Sequence, residues 1–242
     1  MRLDEYLVKS GLADSREQAK RLILAGEVTV GGEPGGKPGS RVTGNEEVAL
    51  KQRPRFVGRG GLKLDGALEA FGLKVAGAVG LDIGASTGGF TDCLLQRGAA
   101  KVYTLDVGTN QLVWKLRSDP RVIAREKFNA RYLVPGDLPE RVDVVVIDVS
   151  FISLSLILGP ALAVLKQSGD LVCLIKPQFE LRREDVGKGG IVRDEKLHDQ
   201  AVDKIRKHAV DVLGAQWTGV VDSPITGTDG NREFFAWIRL RE

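Results

Sequence analysis

Leu81-Asp-Ile-Gly-Ala-Ser-Thr-Gly-Gly-Phe90 is the stretch on which the reading of this chain turns. It follows an apolar run that begins at Val79 and leads into a helical pattern over Gly89–Arg97. Small residues at such a strand-to-helix turn let the backbone approach a ligand, and the helix N-terminus offers free N–H groups. The dinucleotide fingerprint needs glycine at its first, third and sixth positions. Here Ser86 holds the third position, while Gly88 and Gly89 hold the fifth and sixth. That departure disfavours a nicotinamide-dependent dehydrogenase.

Working outward, the pattern alternates between strand and helix from Gly60 to the C-terminus. Expected strands are Val79–Ile83, Lys101–Asp106, Val122–Glu126, Val142–Asp148, Asp170–Lys176, Ala215–Asp222 and Phe234–Leu240. Expected helices lie between them at Leu62–Phe71, Gly89–Arg97, Leu112–Ser118, Leu154–Lys166 and Glu195–Leu213. Continuous apolar strands separated by helices imply an α/β fold with a seven-stranded, mostly parallel, doubly wound sheet. Open sheets of this kind bind ligands at the carboxyl edge of their strands. Asp106 and Val107 stand at that edge after the second strand, where an acid can accept both ribose hydroxyls of a nucleoside. Asn129, after the third strand, is placed to reach the base. Asp82 either orients the loop or meets a ligand's ammonium group.

Two further charged residues reach the same edge. Asp148 ends the run Val144–Ile147, and Lys176 ends Leu171–Ile175 just before Pro177. A lysine ending a buried strand is costly without a partner. Taken singly, Asp148 is equally an N-cap for the segment that follows. The charged, glycine-rich stretch 180–194 is expected to be a mobile flap. His198 and His208 are expected on a solvated helix, as neither ligand nor base.

The first fifty residues form a separate small α+β module. Leu3, Tyr6 and Leu7 share a helical face, with Gly11 as the stop. Ser15 with Gln18 gives a capping-box signature, and a second helix runs to about Ala25 with Ala19, Leu22 and Ile23 inward. Short strands follow at Val28–Val30 and Glu47–Leu50. Arg16 and Lys20 lie one turn apart on the outer face, beside Arg21. Residues 51–59 read as a linker, leaving 60–242 as the larger domain.

Charge is distributed unevenly. The chain of 242 residues carries a formal net charge of +3. Residues 1–62 account for the whole surplus, and no acid occurs over residues 48–62, around Lys51, Arg53, Arg55 and Arg59. Such a stretch attracts polyanions. Cys93 and Cys173 have neither metal-ligand nor disulfide-framework spacing, which points to a reducing, cytoplasmic compartment and no metal. No signal peptide opens the chain. The longest uncharged run, residues 149–165, holds three serines, a glycine and Pro160, and falls short of the ~20 apolar residues of a membrane span.

These motifs together resemble the TlyA/haemolysin A family of 2'-O-ribose RNA methyltransferases, with an FtsJ-type, Rossmann-like class I catalytic domain. The resemblance covers essentially the whole chain. It is carried by Arg59-Gly-Gly-Leu-Lys-Leu64, Leu81–Phe90, Ile147-Asp-Val-Ser-Phe-Ile152, Leu174-Ile-Lys-Pro-Gln-Phe-Glu180 and Gly230-Asn-Arg-Glu-Phe234. Residues 1–50 resemble the alpha-L RNA-binding module first known from a ribosomal protein, through Ser15–Ile23 and Gly26–Val30. Gly58 departs from the pattern, since relatives commonly have serine there.

The resemblance implies S-adenosylmethionine as cofactor, held by Asp82, Gly84, Ala85, Ser86, Gly88, Gly89, Phe90, Asp106, Val107 and Asn129. It implies a catalytic tetrad of Lys63, Asp148, Lys176 and Glu233. Lys176 would be the base or alkoxide stabiliser, and Lys63 would add positive charge and help hold the substrate. Asp148 and Glu233 would orient the two lysines. A ribose hydroxyl is a poor nucleophile at neutral pH, so the enzyme must align the displacement and remove a proton. The implied partner is ribosomal RNA or a ribosomal subunit, contacted by Arg16, Lys20, Arg21, Lys51, Arg53, Arg55 and Arg59. The chain's compactness leans toward the shorter type that modifies cytidine in large-subunit RNA alone. Two other functions stand beside this one: a non-catalytic ribosome-assembly factor, and a haemolysin, for which no sequence feature argues.

Overall fold

In the computed structural model, which describes residues 1–13, 15–51, 55–227 and 229–241, the chain divides into two units, Met1–Pro54 and Arg55–Glu242. In the smaller unit, helices α1 (Leu3–Lys9) and α2 (Arg16–Leu24) pack on a three-stranded sheet of β1 (Val28–Val30), β2 (Glu33–Pro34) and β3 (Val48–Leu50). Ser15 Oγ accepts the Gln18 N–H at 3.2 Å, capping α2 as its sequence predicts. Leu3, Leu7, Ala19, Ile23, Val28 and Val42 close the core. Leu22 is half-buried at its margin. The two-residue strand β2 is too short to carry a periodic signal.

The larger unit begins five residues earlier than the sequence pattern suggests. Phe56 is 3% exposed, and the Val57 N–H donates to Asp92 Oδ2 at 2.9 Å. Residues 55–59 are therefore part of the domain, although Pro54 and the local charge give them a linker's composition. Helix α3 (Arg59–Ala70) follows, and then β4 (Val79–Ile83), α4 (Gly89–Gln96), β5 (Lys101–Leu105), α5 (Trp114–Arg117), β6 (Val122–Arg125) and β7 (Val142–Ile147). The chain continues through α6 (Leu158–Ala163), β8 (Leu165–Ile175), α7 (Pro177–Glu180), α8 (Glu195–Lys207), β9 (Gln216–Asp222) and β10 (Phe234–Arg239).

Among the described residues these seven strands form one sheet in the order β6-β5-β4-β7-β8-β10-β9. Pairings from β6 to β8 are parallel, whereas β10 runs antiparallel to both β8 and β9. Successive strand residues face opposite sides. Leu81, Ile83, Val145, Ile147, Leu171, Cys173 and Ile175 face one helical layer with Ala161 and Ile205. Val144, Val146, Val172, Leu174 and Phe235 face the other, with Leu64, Leu68, Phe90 and Leu94.

Several expected elements are shorter or broken. The pattern over Leu112–Ser118 yields one helical turn, Trp114–Arg117. The segment expected as one helix over Leu154–Lys166 splits into a 3-10 turn at Leu154–Leu156 and α6, because Leu165 already pairs with Val142 in the sheet. His198 is not solvated: it is 5% exposed, with Nε2 3.0 Å from the Val192 carbonyl and its ring 5.7 Å from Phe234. It shares the buried face of α8 with Ala201 and Ile205 at helical spacing. Burial also pushes the Cys93 thiol up to about 12 and raises that of Cys173, so neither is a nucleophile.

Helix α3 passes close across α4 because Gly89 has no side chain where the Gly60–Gly61 backbone crosses it, and bare Gly61 leaves room for the Phe56 ring. A Cβ on Gly89 would lie 2.9 Å from the Gly61 nitrogen, and one on Gly61 would lie 2.3 Å from Phe56 Cγ. Gly61→Ala should therefore destabilise the protein by about 1–3 kcal/mol, an overpacking cost that outweighs alanine's helix preference. Gly136→Ala, with nothing within 4 Å of the added carbon, should be nearly neutral. Urea denaturation of the two variants checks the contrast.

Candidate active site

The reversed direction of β10 brings its first residue to the carboxyl edge. Phe234 pairs with Ile175, so Glu233 and Lys176 flank one rung of the ladder. Asp148, Lys176 and Glu233 lie an even number of residues from Val146, Leu174 and Phe235, and hence face the α3 layer. Lys63 comes from α3 itself.

The four side chains form two ion pairs. Lys63 Nζ donates to Glu233 Oε2 at 2.5 Å, with side chains 10% and 3% exposed. Lys176 Nζ lies 2.6 Å from Asp148 Oδ1 and donates to Ser150 Oγ at 2.9 Å. The Lys176–Asp148 approach is a charge contact without hydrogen-bond alignment, because Oδ1 has no donor in line with it among the described residues. Both pairs line a hollow of about 430 Å³ together with Arg59, Phe90, Gln178 and Phe179. Buried ion pairs are often no more stabilising than apolar residues of the same volume. Two of them at the rim of a cleft are better explained by chemistry than by stability.

A second hollow of about 370 Å³ adjoins the first through Gly84, Ser86, Asp148, Ser150 and Phe151, which line both. Its walls are largely apolar, with Leu105, Val107, Phe128, Val149, Ile152 and Ile157, and its polar members include Asp106 and Asn129. Arg125 stacks over Phe128 at 4.4 Å. Gly84 has φ +86°, and a Cβ there would lie 2.3 Å from the Asp148 carbonyl oxygen. The loop after β4 can therefore lie against the end of β7 only as glycine. Asp106 holds this loop in shape, accepting from the Ser86 N–H at 2.8 Å and from the Gly108 N–H at 2.7 Å.

This cradle fits S-adenosylmethionine. Gly84, Ala85, Ser86 and Gly89 border the charged hollow, where an amino-acid moiety would lie. Asp106, Val107 and Asn129 border the apolar hollow, which suits a nucleoside. Phe90 also reaches the charged hollow, although its ring is mainly core, 5.9 Å from that of Phe235. Asp82 and Gly88 open onto neither hollow. Gly88, at φ +98°, packs on Leu112 and Leu116. Asp82 is fully buried on the α4 side of β4 and accepts from Thr91 Oγ1 at 2.6 Å. Its position suits orienting the loop rather than meeting an ammonium group.

The segment expected as a mobile flap is fastened at its far end. Asn231 accepts from the Val192 N–H at 2.9 Å and donates to the Gly190 carbonyl at 2.9 Å. Val186 and Gly190 line the charged hollow.

Sequence reasoning missed Ser150, Phe151 and Phe179. Phe151 is 91% exposed at φ +64°, a conformation rare for a bulky residue, and its ring lies 5.1 Å from Phe179. Both phenylalanines stand within quoted motifs, but neither exposure nor φ is written in a motif.

The basic residues are dispersed. Arg16 pairs with Asp4 at 3.2 Å and Glu5 at 3.3 Å, and Lys20 with Glu17 at 3.4 Å. The Arg2 guanidinium, with Arg16 beyond it, holds the buried Asp4 carboxyl down at about 2. Arg21 and Lys51 are exposed on the smaller unit, and Arg53 lies outside the described residues. Arg55 is fixed to Asp65 and lies over the Phe56 ring. Arg59 stays exposed at the rim, donating to the Thr226 carbonyl at 3.1 Å. No cluster suited to a metal ion occurs among the described residues.

Comparison with known proteins follows the same division. Residues 56–240 match the FtsJ-like methyltransferase family, and residues 1–48 match the S4 domain. The chain is 47% identical over 242 residues to the 16S/23S rRNA (cytidine-2'-O)-methyltransferase TlyA of Mycobacterium tuberculosis, covering 99% of this chain and 90% of that one. It is 44% identical over 240 residues to Hemolysin A of Brachyspira hyodysenteriae, covering 98% of each. A solved Streptococcus thermophilus structure that bears the hemolysin name superposes with a TM-score of 0.77 at 47% identity, covering all of this chain and 89% of that one.

Burial pushes the Asp82 carboxyl up to about 7, with Asp148 and Asp106 adding to the shift and Thr91 opposing it. The folded state then holds a proton that the unfolded chain has lost, so stability falls as pH rises from about 4 to about 7. Asp82→Asn removes this penalty. Its melting temperature relative to the parent should rise from pH 5 to about pH 7 and level off by pH 8, as thermal unfolding across that range would register; a constant difference from pH 5 to pH 7 would refute the assignment.

Proposed function

The chain belongs to the FtsJ-like methyltransferase family, and we propose that it transfers the methyl group of S-adenosylmethionine to the 2'-hydroxyl of a cytidine ribose in ribosomal RNA. The observation that carries this reading is the junction of the two hollows, where Lys176 and Asp148 meet beside the glycine loop. When bound, the cofactor supplies a methyl group already activated by its sulfonium.

The chain's own residues do the rest. Asp106 and Asn129 hold the nucleoside end, and Gly84–Ser86 receive the amino-acid end. Lys176 Nζ, set by Asp148 and Ser150, takes the proton leaving the acceptor oxygen or stabilises the alkoxide left behind. Lys63, held by Glu233, adds positive charge from helix α3 in the same hollow. Phe151 and Phe179 offer an aromatic shelf at the mouth, suited to stacking an unpaired base. Arg59 stands at the same rim to meet the RNA backbone. In the smaller unit, Arg21 and Lys51 are exposed cations that would meet RNA, with Arg16 and Lys20 sharing their charge with nearby acids.

A non-catalytic scaffold has no use for one buried and one half-buried ion pair around a hollow. The hemolysin name borne by two similar proteins is a separate matter. No described helix is long and apolar enough to cross a membrane.

Labelled S-adenosylmethionine, incubated with naked RNA, separated subunits and intact ribosomes, tests the proposal. Resistance of the neighbouring bond to alkali would place the label on a 2'-oxygen. The mycobacterial relative is named for both 16S and 23S RNA, so both subunits belong in the assay. Lys176→Ala should slow methyl transfer by about 10²-fold or more while leaving cofactor affinity nearly unchanged. Full turnover by that variant would remove Lys176 from the mechanism.

A further inference from the structure

Glu180 takes no place in either hollow, yet it is among the most fully engaged carboxylates of the larger unit. Its side chain is 1% exposed. Oε1 accepts from the Leu154 N–H at 2.7 Å, and Oε2 accepts from Ser153 Oγ at 2.5 Å and Lys204 Nζ at 3.0 Å. Lys204 also donates to the Glu180 carbonyl at 2.7 Å.

The connections made by this carboxylate matter more than their number. Ser153 and Leu154 stand on the loop that leaves β7 through Asp148, Ser150 and Phe151. Glu180 closes the single turn of α7 that opens immediately after Lys176. The carboxylate thus bridges the two loops that end neighbouring parallel strands, a few residues beyond the groups those loops carry. Between strand ends and bridge, the loops meet through Lys176 with Asp148 and Ser150, and through Phe151 with Phe179. Phe151 holds φ +64° only two residues before Ser153. Backbone of that kind persists where its surroundings over-determine it, and the bridge supplies that constraint.

We propose that Glu180 is a positioning residue for methyl transfer: it fixes the spacing of the β7 and β8 loops and so the reach of Lys176 Nζ. The proposal rests on reading the hollow as the site of transfer. Glutamine at 180 can still accept from Leu154 and donate to Ser153, preserving the bridge without the charge. Alanine cuts it. Lys204→Met removes the outer cation, including its 3.3 Å contact to Ser153 Oγ, and leaves both direct arms of the Glu180 carboxylate.

Wild-type turnover on ribosomal RNA is measured first, and its absence would count against the proposed function rather than the bridge. Glu180→Ala should then lose roughly 10- to 100-fold in kcat, the scale set by an ångström of misplacement. Its KM values, and its S-adenosylmethionine affinity by calorimetry, should stay within about threefold, as expected when a ground-state contact is untouched. Glu180→Gln and Lys204→Met should both remain within about threefold of the parent in kcat. Hydrogen exchange of the 149–156 amides, which needs no RNA, should quicken in Glu180→Ala and not in Lys204→Met. A folded Glu180→Ala with parental kcat overturns the proposal, as does Glu180→Gln falling as far as alanine. Should the alanine variant fail to fold, Ser153→Ala severs one arm of the bridge. An intermediate loss of kcat at constant KM supports the proposal, and parental kcat overturns it.

Discussion

The active-site charges depend on one reversed strand. Were β10 parallel to β8, Glu233 would emerge at the opposite edge of the sheet, far from Lys63. Antiparallel pairing places Phe234 beside Ile175, and the residue before Phe234 becomes a neighbour of the residue after Ile175. Lys63 then finds its carboxylate at 2.5 Å from an entirely different part of the chain. The close passage of α3 across α4 completes the arrangement, because only bare backbone at Gly89 admits the Gly60–Gly61 segment of α3.

Burying four charges carries a desolvation cost that paired geometry only partly offsets. The chain confines this cost to the rim of a hollow whose other walls mix glycine backbone and the Phe90, Phe151 and Phe179 rings with Ser150 and Gln178. The loops that carry Asp148 and Lys176 are braced from behind by Glu180, through Ser153 and Leu154, and the adjoining glycine loop by Asp106, through the Ser86 and Gly108 amides. Preorganisation of this kind spares the reaction the cost of arranging charge as it proceeds. It also separates residues that meet a ligand from residues that hold those in place. Asp82 belongs with the second group, buried against Thr91 beneath the loop.

Sequence patterns reported the sheet well, because buried parallel strands are apolar without interruption and five of the seven begin where the pattern places them. The end of β7 before Asp148 and of β8 before Lys176 was legible for the same reason. Lys63 and Glu233 were not legible from periodicity. Each depends on a contact 170 residues away in sequence, and a resemblance to known relatives was needed to pick them. Composition misled at Arg55, where a charged, proline-flanked stretch reads as linker although Asp65 and Asp92 pin it to the domain. It misled again at His198, whose helical register with Ala201 and Ile205 was available but was outweighed by the polar residues around it. Phe151 stayed invisible because its significance lies in a dihedral angle and an exposure.

The two-residue alternation of the strands has an evolutionary corollary. Asp148, Lys176 and Glu233 share a face because each is an even step from a residue packed under α3. A single-residue insertion within 146–148, 174–176 or 233–235 would turn one of them toward the layer of α6 and α8 and strip its partner of charge. Lengthening is harmless only at the amino edge, in the connections that precede β7, β8 and β9. Descendants of this fold are therefore free to drift in size along one rim of the sheet while the other is held to a fixed count of residues.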